Sequence, residues 1–251
     1  MIEVQALTKT FGDAVAVKGV SFSVAPGELL VLVGGSGSGK TTTLKMINRL
    51  IEPSSGTVLI DGVNAATITG HTLRRRIGYV FQKVGLFPHM SVAANIATPL
   101  RLIDEDPERI RQRVADVLEL MELPASFGGR YPAELSGGEQ QRVGVARALA
   151  AEPRVMLLDE PFGALDPLTR DRLQQSFMAV RRRLGLTAVF VTHDMVEALL
   201  LADRIAVLHA GALVQVGTPA ELFHSPADAY VEQMLETPRR QSRALDDLLA
   251  G

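Results

Sequence analysis

Apolar and polar residues alternate along the first two dozen positions. Ile2, Val4 and Ala6, then Val20, Phe22 and Val24, fall on every second place. A period of two predicts two strands with one buried face each, and Phe11-Gly12 is the turn between them. Gly56-Thr57-Val58-Leu59-Ile60-Asp61-Gly62 reads as a short strand between glycine turns that completes a small antiparallel sheet. Leu29-Leu30-Val31-Leu32-Val33 is an unbroken apolar run, hence a buried strand. Ile77-Gly78-Tyr79-Val80-Phe81-Gln82 is another strand, with Gln82 at its end. From Val92 to about Leu123 the period lengthens. Ile110, Val114, Val117, Leu118 and Met121 form one helical stripe, and Asp106-Pro107 starts that helix. This region reads as an inserted helical subdomain (about residues 86–152) whose last helix begins near Ser136.

Two further β-type stretches follow, Val155-Met156-Leu157-Leu158 and Thr187-Ala188-Val189-Phe190-Val191-Thr192. Strands alternating with helices predict a parallel sheet, whose ligands lie at the C-terminal strand ends. Asp159, Glu160 and His193 stand at such ends. Arg204-Ile205-Ala206-Val207-Leu208 and Leu213-Val214-Gln215-Val216 predict a hairpin through Gly211. One helix and a polar tail (237–251) are expected after it. The tail carries Arg239, Arg240, Arg243, Leu245, Leu248 and Leu249, and is expected to be loosely held or to dock on a partner.

Composition narrows the picture. At 251 residues, one large domain or one domain with a subdomain is expected. No apolar run approaches the ~18 residues of a membrane span, and no signal peptide is expected at the N-terminus. With zero cysteines there are no disulfides and no thiolate metal sites. A net charge of −2 argues against a broad nucleic-acid surface. Membrane contact would therefore run through a protein partner, with the chain in the cytoplasm.

The strongest chemical signal is Gly34-Gly35-Ser36-Gly37-Ser38-Gly39-Lys40-Thr41, which matches G-x-x-x-x-G-K-[ST] between a predicted strand and a helix opening with Thr42. Consecutive N–H groups at a helix N-terminus form an anion nest. Lys40 can reach β- and γ-phosphates, and the Thr41 hydroxyl can hold Mg²⁺. Asp159 after its strand can hold Mg²⁺ as well, and Glu160 beside it can act as general base toward water. Leu135-Ser136-Gly137-Gly138-Glu139-Gln140-Gln141-Arg142 opens a second helix and so offers a second anion site. One triphosphate per chain does not need two such sites. A dimer in which each chain offers its second site to the other's nucleotide resolves this, with Gly163-Ala164-Leu165-Asp166 at the same seam.

With these motifs in order, residues 2–235 resemble the ATP-binding subunit of an ABC transporter. The resemblance implies a P-loop NTPase α/β fold with a mostly parallel core sheet, a small antiparallel β subdomain and the helical insert, over residues 1–236. It implies that Phe11 stacks on adenine, that Ser136 and Gly138 contact the partner's γ-phosphate, and that Asp166 ends the D-loop. His193 would be the switch histidine. Gln82 would join Mg²⁺ and sense membrane permease subunits, whose coupling helix residues near 85–100 would receive. ATP and Mg²⁺ are the implied cofactors, and a second ATPase subunit, the permease and, indirectly, an extracytoplasmic solute-binding protein are the partners. The implied place is the cytoplasmic face of the membrane.

Thr43-Leu44-Lys45-Met46-Ile47-Asn48-Arg49-Leu50-Ile51-Glu52-Pro53, Gly85-Leu86-Phe87-Pro88-His89-Met90 and the stretch from Pro161 to Arg170 are similar to glycine betaine/carnitine/choline importers. Many of these continue into CBS domains that sense ionic strength. The sequence carries none before Gly251, so osmotic gating through this subunit is not expected. Gly35 stands where relatives often have Pro, and Glu139 where Gln is more usual. Ser136-Gly137-Gly138-Glu139 is also a capping box, in which Ser136 would cap its own helix until it turns to a partner's phosphate. An importer for another solute (an amino acid or a sulfonate) and a soluble, non-transport ABC ATPase stay open as other readings.

Overall fold

The computed structural model describes residues 1–163 and 165–250. Ala164, in the predicted 163–166 loop, and Gly251 lie outside the described residues, as do the side chains of Leu245, Leu248 and Leu249. The chain begins with β1 (Ile2–Phe11), β2 (Ala14–Val24), β3 (Leu29–Val33), α1 (Lys40–Ile47), β4 (Ser55–Ile60), β5 (Val63–Asn64), α2 (Gly70–Arg74) and β6 (Ile77–Val80). A helical stretch follows: α3 (Val92–Arg101), α4 (Pro107–Leu120) and α5 (Gly137–Ala150). Then come β7 (Val155–Asp159), α6 (Pro167–Leu184), β8 (Thr187–Thr192), α7 (Met195–Leu201) and β9 (Arg204–His209). β10 (Ala212–Gly217), α8 (Pro219–His224) and α9 (Ala229–Ala250) complete it. Two compact units result, one of residues 1–66 with 189 onward, the other of residues 67–188. The fold is α/β, with a mostly parallel sheet, an antiparallel sheet and helices, as the alternation of elements predicts.

In the first unit the antiparallel sheet has the order β2-β1-β4-β5, and Ile2 pairs with Val24 on one side and Ile60 on the other. The expected alternation holds through Val4 and then slips. Ala6 takes φ 47° within an irregularity of the ladder, so Leu7 is buried in its place. A bulge of this kind adds a residue and reverses the side-chain faces beyond it. β3 is buried along its whole length and runs parallel to β9, with Leu32 abreast of Ala206. The Asp203 carboxylate accepts the Leu29 N–H at 2.7 Å and fixes the start of β3. The hairpin β9–β10 forms as predicted.

The end of the chain differs from its prediction. Two helices replace one, because Thr218 and Glu221 make a capping box that starts α8 at Pro219. The predicted tail is helical through Ala250 as a continuation of α9, despite Pro238. Wholly buried Val231 and Leu235 seat this helix, and Arg239 donates to the Phe223 carbonyl at 2.6 Å. The tail is anchored at its root and is not a loose end there.

In the second unit β6 and β7 run parallel, from Ile77 beside Val155 to Val80 beside Leu158. Asp106 caps α4, accepting from the Glu108 and Arg109 N–H groups, and Pro107 fills the first helical position. Val114, Val117, Leu118 and Met121 are buried on the predicted stripe. On α6, Leu173, Phe177 and Val180 make the buried face, and Phe177 meets Phe162 edge-on at 6.4 Å. Both rings are almost fully excluded from water. Phe177→Ala is expected to cost about 3–5 kcal/mol, read as a lower urea midpoint at unchanged slope.

Candidate functional site

The phosphate loop of the first unit runs straight from β3 into α1. Gly39 is its hinge: φ is 95°, and a Cβ there would lie 2.7 Å from the Ala16 carbonyl oxygen. No side chain fits. Lys40 is only 5% exposed. Its ammonium donates to the carbonyls of Gly34 and Gly35, both at 2.8 Å, and to the Ser38 hydroxyl at 3.3 Å. A buried charge needs such partners, because desolvation alone would expel or neutralise it. Thr41 and Thr42 are half-buried in the first turn of α1, and Gly35, Ser36 and Gly37 are exposed. The positive end of the α1 dipole thus faces an accessible loop. Phe11 ends β1 with half its surface exposed, and the Lys9 ammonium lies 5.0 Å from its ring centre.

His193 is exposed directly after β8. Its turn is fixed by neighbours. The Thr192 hydroxyl accepts the Asp194 N–H at 3.0 Å, and Asp194 caps α7 by accepting from Val196 and Glu197.

In the second unit the β6–β7 register carries Gln82 abreast of the end of β7. Asp159 is buried there, and Glu160 takes left-handed backbone at φ 44°. That conformation costs an L-residue about 1–2 kcal/mol, consistent with a residue held for function. Gln82 Nε2 donates to Glu160 Oε2 at 3.2 Å. The Tyr79 hydroxyl donates to Asp159 at 3.5 Å. Burial, then the nearby Asp159 charge, hold the Tyr79 phenol well above its ordinary pKa, so it stays a donor.

The segment after Gln82 is clamped from two helices. Arg147 of α5 donates to the carbonyls of Val84 at 2.9 Å and Gly85 at 2.8 Å. Asn95 of α3, fully buried, accepts the Phe87 N–H at 2.8 Å and donates to the Phe87, Met90 and Ser91 carbonyls. Beside it opens a mainly apolar groove of about 410 Å³, lined by Arg74, Tyr79, Phe87, Pro99, Leu102 and Arg147 among others. Leu102 is 56% exposed in it.

The capping box predicted at Ser136 is present. Ser136 accepts the Glu139 N–H at 3.3 Å, and Glu139 accepts the Ser136 N–H at 2.7 Å and its hydroxyl at 2.8 Å. Gly138 packs closely, since a Cβ would lie 2.5 Å from Thr169 Cγ2 and Thr169 would have to shift. Asp166 caps α6, accepting the Thr169 N–H at 3.1 Å.

The first unit therefore holds Phe11, the loop with Lys40, Thr41 and Thr42, and His193. The second holds Gln82, Ser136, Gly138, Asp159, Glu160 and Asp166. Gln82 meets Glu160, and Lys40 meets Gly34 and Ser38. Sequence reasoning missed Tyr79, Arg147, Asn95 and Tyr230, whose hydroxyl accepts the Gly35 N–H at 2.9 Å. Asn95 alone had a readable signal, as a polar residue on the apolar side of a helix. Among the described residues no group of three His, Cys, Asp or Glu side chains could hold a metal by itself, and no helix is long and apolar enough to cross a membrane.

A strand–loop–helix with its lysine inside the loop, together with a strand ending in Asp-Glu, defines a phosphate-loop nucleotide-binding class. The comparisons narrow that class. The ABC transporter family model matches residues 17–163, and the chain belongs to that family. It is 50% identical over 240 residues to the glycine betaine/carnitine/choline transport ATP-binding protein OpuCA of Bacillus subtilis, covering 95% of this chain and 63% of that one. The choline transport ATP-binding protein OpuBA of the same organism matches to the same extent. The chain thus spans 63% of the length of these relatives. Among solved structures, the dimeric bacterial ABC transporter cassette MJ0796 superposes with a TM-score of 0.79 at 35% identity, covering 87% of this chain and 99% of that one. A post-hydrolysis dimer of MJ0796, bound to ADP and Pi, matches at the same TM-score with 34% identity over the same shares of both chains.

Hydrogen bonds from Ser136, the backbone N–H first, hold the Glu139 carboxyl below its ordinary pKa. A lowered folded-state pKa means stabilisation that is complete above the ordinary glutamate range and lost as pH falls through the lowered value. The protection of first-turn amides of α5, taken relative to their intrinsic exchange rates, is expected to fall on acidification through that range. Glu139→Gln should remove this acid response, and Ser136→Ala should cost about 1 kcal/mol at neutral pH and less once Glu139 is protonated.

Proposed function

We propose that this chain is the ATP-binding and ATP-hydrolysing subunit of an ABC importer for an osmoprotectant of the quaternary-amine type, such as glycine betaine, choline or carnitine. The observation that carries the reading is half-identity to OpuCA and OpuBA across 95% of the chain.

In this reading the N–H groups of residues 36–42 cradle the phosphates, and Lys40 exchanges loop carbonyls for phosphate oxygens. Phe11 offers its ring to adenine. The hydroxyl of Thr41, the carboxylate of Asp159 and the amide oxygen of Gln82 are hard oxygen donors, the kind Mg²⁺ takes. Any of them could ligate Mg²⁺, which would neutralise charge on phosphate oxygens. Glu160 accepts a proton from water as the water oxygen bonds to the γ-phosphorus and the bond to the β–γ bridging oxygen breaks. ADP and inorganic phosphate result, and His193 holds the γ-phosphate during that step. Ser136 and Gly138 serve the nucleotide of a second ATPase subunit, with Asp166 at the seam.

The groove between β6, α2 and α3 supports a docking place for a permease segment. The Gln82–Glu160 hydrogen bond beside it would carry docking to the general base. The subunit then lies on the cytoplasmic face of the membrane, and an extracytoplasmic solute-binding protein meets the permease alone. No nucleic acid takes part.

Glu160→Gln is expected to keep ATP affinity and lower turnover by about 10²–10⁴-fold, with a trapped dimer on size-exclusion chromatography; turnover at the native rate would reject Glu160 as base. Lys40→Ala should abolish triphosphate binding. In cells lacking other importers for these solutes, deletion should abolish uptake of labelled glycine betaine, choline or carnitine, and only a chain with Glu160 intact should restore it. Unchanged uptake of all three would retire the quaternary-amine assignment. Leu102→Glu should leave ATPase activity of the isolated subunit unchanged while preventing co-purification with its permease.

A further inference from the structure

We propose that Tyr230 is a positioning residue for the phosphate loop, fixing through its hydroxyl a peptide unit that holds Lys40. The inference rests on the nucleotide-binding reading of that loop. A peptide group is a rigid plane, with a carbonyl at one edge and an N–H at the other. In the plane joining Gly34 to Gly35, both edges are engaged. The Gly34 carbonyl accepts from the Lys40 ammonium at 2.8 Å, and the Gly35 N–H donates to the Tyr230 hydroxyl oxygen at 2.9 Å. Rotating the plane breaks both bonds together. Two successive glycines bring no side chain to set its orientation, so the restraint must come from outside the loop.

Tyr230 is well placed to supply it. It stands in the first turn of α9, where Asp228 accepts the Val231 N–H at 2.9 Å and wholly buried Val231 and Leu235 seat the helix. Its ring lies against the His209 imidazole with centroids 3.8 Å apart and planes 35° from parallel. His209 is the last residue of β9, and the carbonyl of Leu208 just before it closes on Gly34 so tightly that any Cβ there would collide. The hydroxyl is thus held from a helix on one side and a strand end on the other.

A loop shaped in advance loses less freedom when a triphosphate binds. Tyr230 therefore raises nucleotide affinity without touching the nucleotide.

Tyr230→Phe removes the hydroxyl and keeps the ring on His209, whereas Tyr230→Leu removes both. Each would be titrated with a fluorescent ATP analogue. The Gly35 amide would be followed in nucleotide-free protein by NMR with ¹⁵N-glycine. Both variants are expected to raise the Kd about fivefold, the worth of one net hydrogen bond, and to speed exchange of the Gly35 amide. An unchanged Kd and unchanged amide exchange in Tyr230→Phe would overturn the proposal. Loss in Tyr230→Leu alone would overturn it too, because ring packing would then explain the effect. A wild-type chain that binds no ATP would defeat the parent reading, while the Gly35 amide would still decide whether Tyr230 holds the loop.

Discussion

The Lys40 ammonium lies almost wholly out of water and is held by two carbonyls and a hydroxyl of its own loop. Taking a charge from water costs several kcal/mol per ion even after relaxation, so the loop must turn oxygens inward to receive it. That requirement explains much of the first unit. β3, buried along its length, delivers the loop at a fixed height, and Gly39 lets the backbone pass Ala16 and enter α1. A lysine already desolvated and aimed needs little reorganisation to exchange carbonyl oxygens for the phosphate oxygens of a nucleotide.

The second unit has its own centre, the segment from Tyr79 to Phe87. Tyr79 meets Asp159, Gln82 meets Glu160, Arg147 holds Val84 and Gly85, and Asn95 holds Phe87. Beyond Val80 this segment has no regular structure and would otherwise leave its carbonyls to water. Here side chains from two helices take them up. Burial lowers the pKa of Arg147, because leaving water disfavours the charged form of its guanidinium.

What was legible in the sequence was local. The phosphate loop, the strands before it and before Asp159, the Asp106 cap and the Ser136 capping box are each written in fewer than ten neighbouring residues. The start of α8 was equally legible, because Thr218-Pro219-Ala220-Glu221 repeats the signal of Ser136-Gly137-Gly138-Glu139. Ala6 misled because a bulge depends on pairing with other strands, not on its own neighbours. Tyr230 was illegible for the same kind of reason. It meets Gly35 across 195 residues of chain, and a lone tyrosine in a helical pattern looks like any other. Arg147 and Tyr79 sit within stretches whose hydrophobic periodicity accounts for their neighbours but not for them.

α5 carries the Ser136 cap at one end and, eleven residues on, the Arg147 clamp. At 1.5 Å per residue these points lie about 16 Å apart on one stiff rod. Pivoted at Arg147, a tilt of about 10° sweeps Ser136 through about 3 Å, the difference between a hydrogen bond and none. The helix is a lever arm. Arg147 bolts its fulcrum to the Val84 and Gly85 carbonyls, so small rotations there are magnified at the far tip.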